Sequence, residues 1–166
     1  MAANANLHKA KNEKNDEFYT QLTDVAAELR HYKEYFCGKT VFCNCDDPTW
    51  SAFWKYFHLN FEKLGLRKLV STHYDRAEPT YKMEYEGGDD DNIEAGVITP
   101  LEGNGDFRNQ ECLDLLDESD IVVTNPPFSL FREYVKILMD HGKKFLIIGN
   151  MNAITYKEVF PLIKDN

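Results

Sequence analysis

An apolar run that leads directly into two consecutive prolines constrains the fold of this chain more than any other feature. Residues 120–128 read DIVVTNPPF, and the apolar run has the length and β-branched composition of a buried strand. Each proline fixes its own φ angle and disfavours helix at the residue before it. The chain therefore contains a buried strand whose carboxyl end holds a polar side chain, Asn125, in a rigid loop.

Strand-like runs and helical periodicities alternate along the rest of the chain. Further strands are predicted at Thr40–Cys45, Lys68–Tyr74 and Lys144–Ile148. The helical spacing of apolar residues predicts helices at residues 22–36, 51–64, 111–118, 130–140 and 156–164. This alternation predicts an α/β fold, with a mostly parallel sheet, right-handed crossovers and helices on both faces. No G-x-G-x-x-G follows the first strand, which argues against an ordinary dinucleotide-binding domain.

One segment departs from the alternation of strands and helices. Residues 80–100 alternate apolar and polar side chains, pass through the acidic sequence GGDDD and return through GVIT. This pattern is typical of a β-hairpin with a long acidic tip, which we predict as an insertion in the domain. The acidic tip carries much of the formal net charge of −9 and is interpreted as a solvated loop.

Length and composition set the class of the protein. Residues 1–15 are polar and predict an N-terminal tail, whereas residues 16–166 are enough for one domain with a hydrophobic core. Neither a membrane-length apolar run nor a secretory signal is present in the sequence, so we predict a cytoplasmic protein. Its four cysteines are interpreted as thiols; Cys43 and Cys45 form the only close pair, so no metal site is predicted.

Polar residues follow the predicted strands where a parallel sheet binds its ligands. Such sheets bind ligands outside the carboxyl ends of their strands, near the point where the strand order reverses. The segments that follow the predicted strands are Asp46-Asp47-Pro48, Asp75, Asp106-Phe107 and Asn125-Pro126-Pro127-Phe128. We therefore expect these segments to form a single site.

The chemistry of Asn125 and Pro126 suits an amino group as substrate. The Asn125 side-chain oxygen and the Pro126 carbonyl can accept the two hydrogens of an amine, which localises its lone pair for attack on a methyl sulfonium. Phe128 offers an aromatic face for a base that has left the stack, as base-flipping enzymes require. The alternative is a plain turn that ends a strand, where Asn and Pro are common.

Several segments resemble one enzyme family. The sequence DIVVTNPPFS resembles motif IV of the amino-methyltransferases. Together with KNDEFYTQ, VFCNCDDPTWSAFWKYF, STHYD and GNGDFR, it resembles the EcoRI-type adenine-specific DNA methyltransferases, from Asn12 onward. The resemblance implies a Rossmann-like fold that transfers a methyl group from S-adenosyl-L-methionine to the N6 amine of a flipped adenine in DNA. It also implies a role in a restriction-modification, phage or mobile-element system.

The resemblance further implies a role for each matching residue. Phe18, Tyr19 and Thr20 match motif X, which packs over the methionine end of the cofactor. Asp47-Pro48, with Asp46 beside it, matches motif I, in which the acid faces the cofactor's ammonium group. The remaining implied cofactor contacts are Asp75 with the ribose hydroxyls, Asp106 with the cofactor's adenine amine and Phe107 with the cofactor's adenine ring. Asn125 is also expected to contact the cofactor.

The sequence departs from the family pattern in three places. Motif I lacks its glycine-rich turn, since residues 49–52 read TWSA, and Gln21 stands where motif X commonly has proline. About five strands are predicted, fewer than this fold has, and we expect the region that recognises the target to be missing. We therefore expect a catalytic part, truncated before the last strands and inactive alone.

The expected truncation determines which partners we predict, and alternatives for the function remain. Double-stranded DNA would bind through the missing recognition region, and an open sheet edge would allow self-association. The alternatives for function are a methyltransferase acting on RNA adenine or protein glutamine, or a non-catalytic module that binds S-adenosylmethionine.

Overall fold

Six strands form one mixed sheet in the computed structural model, which describes residues 20–76 and 79–165. The order across the sheet is β4-β3-β2-β1-β5-β6, and every neighbouring pair is parallel except those that include β3. The strands are β1 (Thr40–Cys43), β2 (Lys68–Thr72), β3 (Tyr81–Tyr85), β4 (Val97–Pro100), β5 (Ile121–Thr124) and β6 (Lys144–Ile147).

Helices connect the strands and cover the sheet. They are α1 (Leu22–Leu29), α2 (Ala52–Leu59), α3 (Phe61–Leu64), α4 (Gln110–Glu118), α5 (Phe131–Asp140) and α6 (Phe160–Lys164), with 3₁₀ segments at Arg30–Tyr35, Phe128–Leu130 and Met151–Thr155. None of the helices in the two described ranges has the length and apolar character needed to cross a bilayer.

Two predicted helices are interrupted for local reasons. The helix predicted over residues 51–64 breaks at Asn60, whose side-chain amide donates to the Tyr56 carbonyl at 2.9 Å and so competes with the helical bonding pattern. The chain resumes as α3 and ends at Gly65, whose φ of 64° is left-handed. The helix predicted over residues 156–164 begins only at Phe160, with Pro161 in its first turn.

Apolar side chains pack on both faces of the sheet. Helices α1 and α2 cover one face through Leu29, Trp54 and Phe57, which pack in one cluster with strand residues such as Val41. Helices α4 and α5 cover the other face, and their side chains pack in a second cluster around Phe42. The predicted α/β fold, with a mostly parallel sheet and helices on both faces, is confirmed.

The hairpin-like segment at residues 80–100 extends the sheet instead of standing apart from it. Strand β3 pairs antiparallel with β2, and β4 pairs antiparallel with β3, so the sheet has six strands where about five were predicted. Two reversals of direction make β4 run the same way as β2. Its carboxyl end therefore lies at the same sheet edge as the carboxyl ends of β1, β2 and β5.

A fully buried histidine anchors the acidic loop between β3 and β4. The His58 ring stacks on Tyr85 with centroids 3.8 Å apart. Its nitrogens lie 3.3 Å from the Asp90 carbonyl and 2.9 Å from the Ala95 carbonyl. The backbone of this loop is thus attached to α2, while its acidic side chains Asp89, Asp91 and Glu94 are exposed.

The cysteines occupy different environments. Cys43 and Cys112 are buried, Cys45 is half-buried and Cys37 is exposed. Burial raises the pKa of the Cys43 thiol well above its usual value, so this side chain stays protonated at neutral pH. Cys43 packs among the apolar residues beneath α2 as a small hydrophobic side chain.

Candidate functional site

The loops that follow β1, β2, β4 and β5 meet at the carboxyl edge of the sheet. The Asn125 backbone N–H donates to the Asp46 carboxylate at 3.1 Å, which joins the loops after β1 and β5. The Asp75 backbone N–H donates to the Asn104 carbonyl at 3.2 Å, which joins the loops after β2 and β4. The strand order reverses between β1 and β5, so the site occupies the usual ligand-binding position of such a sheet.

Asp46 is turned into the protein. Its residue is 4% exposed, and its carboxylate accepts hydrogen bonds from the Ser51 hydroxyl at 2.9 Å, the Thr124 hydroxyl and the Asn125 backbone N–H. Ser51 also caps α2 by accepting from the Phe53 and Trp54 N–H groups. These three donors all belong to the protein; the cofactor contact that the sequence suggests for Asp46 stays a prediction.

Asp47, the next residue, contacts a different set of side chains. Its carboxylate lies 2.9 Å from His73 Nδ1 and accepts from the Tyr81 hydroxyl at 3.2 Å and from Thr49. Burial, followed by the charge and hydrogen bond of Asp47, raises the pKa of Tyr81 to about 12. Asp47 therefore joins the loop after β1 to the end of β2 and the start of β3, and the buried Pro48 follows it.

Asp106 is held by an arginine two residues away. Arg108 donates two side-chain hydrogen bonds to the carboxylate, at 2.8 and 2.6 Å, and also contacts Glu133 at 3.4 Å. Arg108, acting first through these bonds, lowers the pKa of Asp106. The carboxylate is thus ionised at neutral pH, and its oxygens keep lone pairs beyond those that Arg108 uses.

Phe107 belongs to the hydrophobic core. It is 4% exposed, and its ring packs edge-on against Tyr134, with centroids 4.9 Å apart and an interplanar angle of 86°. Most of its surface contacts the protein, and the contact of this ring with the cofactor's adenine stays a prediction. Any ligand at this edge meets only the small fraction that is not covered.

Gly105 allows the loop after β4 to approach the end of β2. Its φ is 73°, and a Cβ atom at this position would lie 2.3 Å from the His73 carbonyl oxygen. Asp75 is half-buried beside this contact. A larger residue at Gly105 would force the loop after β4 away from the end of β2.

The Asn-Pro-Pro-Phe segment is fixed at both ends. Asn125 is 7% exposed and directly follows the fully buried β5. Pro126 is buried, Pro127 and Phe128 are half-buried, and the Leu130 N–H donates to the Pro127 carbonyl at 3.1 Å. The 3₁₀ segment that begins at Phe128 leads directly into α5, so the loop is short and restrained.

Several buried polar residues of this edge were not predicted as site residues. The Thr72 hydroxyl donates to Asn44 Oδ1 at 3.0 Å, and the Thr124 hydroxyl also contacts the Asn44 carbonyl oxygen. Ser71 donates to the Cys43 carbonyl at 3.2 Å. Their sequence signal is a polar residue at the end of an otherwise apolar run, as in VFCN, LVST and IVVT.

The three residues predicted from motif X lie at or before the start of the described part of the chain. Phe18 and Tyr19 of the motif X segment lie outside the described residues. Thr20 is the first described residue and is half-buried, two positions before α1 begins.

Comparison with known protein families identifies the class to which this chain belongs. The model of the family "Adenine-specific methyltransferase EcoRI" matches residues 6–166. The chain therefore belongs to this family, and the resemblance found in the sequence is confirmed.

The individual relatives that match the chain are also methyltransferases. The chain is 51% identical over 177 residues to the Type II methyltransferase M.EcoRI of Escherichia coli, covering 99% of the chain and 54% of the relative. It is 44% identical over 159 residues to the Type II methyltransferase M.MpnI of Mycoplasma pneumoniae, covering 96% and 48%. It is 38% identical over 160 residues to M.MgeORF184P of Mycoplasma genitalium, covering 96% and 49%. The chain thus spans about half the length of these relatives, and no solved structure matches it.

Proposed function

We propose that this chain is the cofactor-binding and catalytic part of a DNA methyltransferase that modifies the N6 amine of adenine. The observation that carries the proposal is the position of Asn125-Pro126 at the carboxyl end of β5, bonded through Asp46 to the loop after β1. Family membership and the names of the relatives support the class of reaction. The family description names adenine as the target, and we further propose that the methylated atom is the N6 amine of adenine in DNA.

The donor and acceptor chemistry of the site fits S-adenosyl-L-methionine. Asp47, Asp75 and Asp106 stand on three loops of one sheet edge, and the cofactor carries an ammonium group, a ribose diol and an adenine amine that carboxylates can bind. When bound, the cofactor supplies an electrophilic methyl group on a sulfonium. The proposed contact residues are Phe18, Tyr19, Thr20, Asp47, Pro48, Asp75, Asp106 and Asn125, with Phe107 supporting the pocket from the core.

The Asn-Pro-Pro-Phe segment then orients the substrate amine. The Asn125 side-chain oxygen accepts one amine hydrogen, and the Pro126 carbonyl accepts the other. Two such bonds favour a pyramidal nitrogen with its lone pair directed at the methyl group. Phe128, half-exposed at the same edge, provides the stacking surface for the extruded base.

Recognition of DNA is proposed to lie outside the described residues. The net charge of −9 is unsuited to holding a phosphate backbone, which basic surfaces bind. A segment equivalent to the remaining half of the relatives would supply the basic surface. Strand β6 is an outermost strand of the sheet, and we propose it as the contact for self-association.

A binding titration tests the cofactor site on this chain directly. S-adenosylhomocysteine should bind, and Asp106→Ala should weaken its binding by about 1–3 kcal/mol because a buried donor of the ligand loses its acceptor. Asp114→Ala is the matched control, since Asp114 is an exposed carboxylate on α4 that accepts only locally from Gln110. Equal effects of the two substitutions in calorimetry would remove Asp106 from the site.

A further inference from the structure

We propose that Asp46 is a positioning residue, which fixes Asn125 for reaction and does not bind the cofactor. This inference rests on the proposed function. It assigns the two adjacent acids of the loop after β1 to different tasks. Asp46 acts inward on the Asn-Pro-Pro loop, and Asp47 faces the end of β2 and the start of β3.

The hydrogen bonds of Asp46 identify what it holds. Oδ2 accepts from the Asn125 backbone N–H at 3.1 Å and from the Thr124 hydroxyl, and Oδ1 accepts from the Ser51 hydroxyl at 2.9 Å. The residue is only 4% exposed, so little of it meets water. Hydrogen bonds to an ionised acceptor are about twice as strong as neutral ones, so this carboxylate restrains its donors strongly.

Asn125 is restrained from both sides by this arrangement. The bond from its N–H to Asp46 fixes the peptide plane that precedes it. On its other side, Pro126 restricts the backbone of Asn125 to extended conformations. The direction of the Asn125 side chain therefore depends on Asp46. A misplacement of about 1 Å in such a group can cost on the order of a hundredfold in rate.

The position of Asp46 is in turn set by the start of α2. The Ser51 hydroxyl accepts from the Phe53 N–H at 3.1 Å and the Trp54 N–H at 3.2 Å, while donating to Asp46. The carboxylate thus lies at the positive end of α2, with one hydroxyl between them. Strand β1, helix α2 and strand β5 are connected through this one side chain.

Asp120 provides a matched control at the opposite edge of the sheet. Its Oδ2 accepts the Thr40 backbone N–H at 2.8 Å, so it also joins β1 to β5 through a carboxylate and an amide. It lies at the amino ends of these strands, away from the candidate site. Loss of Asp120 should therefore cost stability but not turnover.

The test compares Asp46→Ala, Asp46→Asn and Asp120→Ala. Turnover is measured on a protein that carries this chain together with the segment equivalent to the remaining half of the relatives, using radiolabelled S-adenosylmethionine and DNA free of methylated adenine. Asp46→Ala should lower kcat about a hundredfold and leave the KM for the cofactor unchanged. Asp46→Asn should recover most of the rate, because its amide oxygen can still accept the Asn125 N–H. S-adenosylhomocysteine affinity should be unchanged in all three variants.

Amide hydrogen exchange on this chain tests the same contact without turnover. Asp46→Ala should speed exchange at the Asn125 amide, and Asp120→Ala should speed it at the Thr40 amide instead. If Asp46→Ala does not fold, Asp46→Asn carries the test through a smaller increase at Asn125 with unchanged cofactor affinity.

Two results would overturn the inference. One is a loss of S-adenosylhomocysteine affinity in Asp46→Asn as large as in Asp46→Ala, because a cofactor ligand would need the charge. The other is unchanged exchange at Asn125. If the unsubstituted protein forms no N6-methyladenine, the proposed function fails, while the exchange comparison still decides whether Asp46 fixes Asn125.

Discussion

Replacing Asn125 with alanine should slow methyl transfer by the intact protein about a hundredfold or more, with little change in cofactor affinity. The expected loss of rate is the one usually seen when one preorganised hydrogen-bond partner of the reacting group is removed. The fold should tolerate the change, because the contact with Asp46 uses the Asn125 backbone N–H and alanine keeps it. Single-turnover rates with saturating S-adenosylmethionine measure the effect, and calorimetry with S-adenosylhomocysteine measures the affinity.

Phe128 is the comparison for this experiment. Phe128→Trp should keep part of the activity, since only a stacking surface is required of it. Phe128→Ala should raise the KM for DNA more than Asn125→Ala does. Near-normal turnover in Asn125→Ala, together with complete loss in Phe128→Ala, would contradict the account of how the amine is oriented.

Replacing Phe107 with alanine should lower the free energy of unfolding by about 3–5 kcal/mol, as for other buried aromatic residues. The physical reason is the cavity left beside Tyr134, against which the ring packs at 4.9 Å. Urea denaturation followed by circular dichroism measures the change in the free energy of unfolding. The comparison requires that this free energy falls with urea concentration at the same slope in both proteins.

Phe128→Ala is also the stability control, because Phe128 is half-exposed and outside the buried cluster that contains Phe107. It should cost much less than Phe107→Ala. A Phe107→Ala variant with near-normal stability but greatly reduced S-adenosylhomocysteine affinity would show that the ring belongs to the pocket surface, as the sequence alone suggests.

The alternation of strands and helices could be predicted because it depends on local patterns. Strand β5 and the rigid loop after it follow from the run IVVT and two prolines. The meeting of four loops at one edge follows from parallel strand direction, which the alternation implies. These parts of the account needed no information about which strands pair.

Pairing and side-chain direction could not be predicted in the same way. The position of β3 between β2 and β4 depends on contacts that the local pattern of residues 80–100 does not contain. Asp46 and Asp47 are identical in type and adjacent, yet the first contacts Asn125 and the second contacts His73. The chain turns after β1, where Cys45 has a φ of 70°, and the two side chains that follow make contacts with different strands.

Phe107 illustrates the same limit for aromatic residues. An aromatic side chain after Asp106 is compatible with a ligand contact or with a core position, and the sequence pattern is the same for both. The ring enters the core because α4 and α5 cover that face of the sheet and leave a space that it fills against Tyr134.

The chemical identity of the methylated product tests the central claim most directly. Unmethylated DNA is incubated with the intact protein and S-adenosylmethionine that carries a deuterated methyl group, then digested to nucleosides for mass spectrometry. Parallel incubations contain RNA or a protein extract in place of DNA. We expect deuterated N6-methyl-deoxyadenosine from DNA with the unsubstituted protein, and almost none with Asn125→Ala. Label on RNA adenine or protein glutamine alone, or cofactor binding without transfer to any of the three, would contradict the claim.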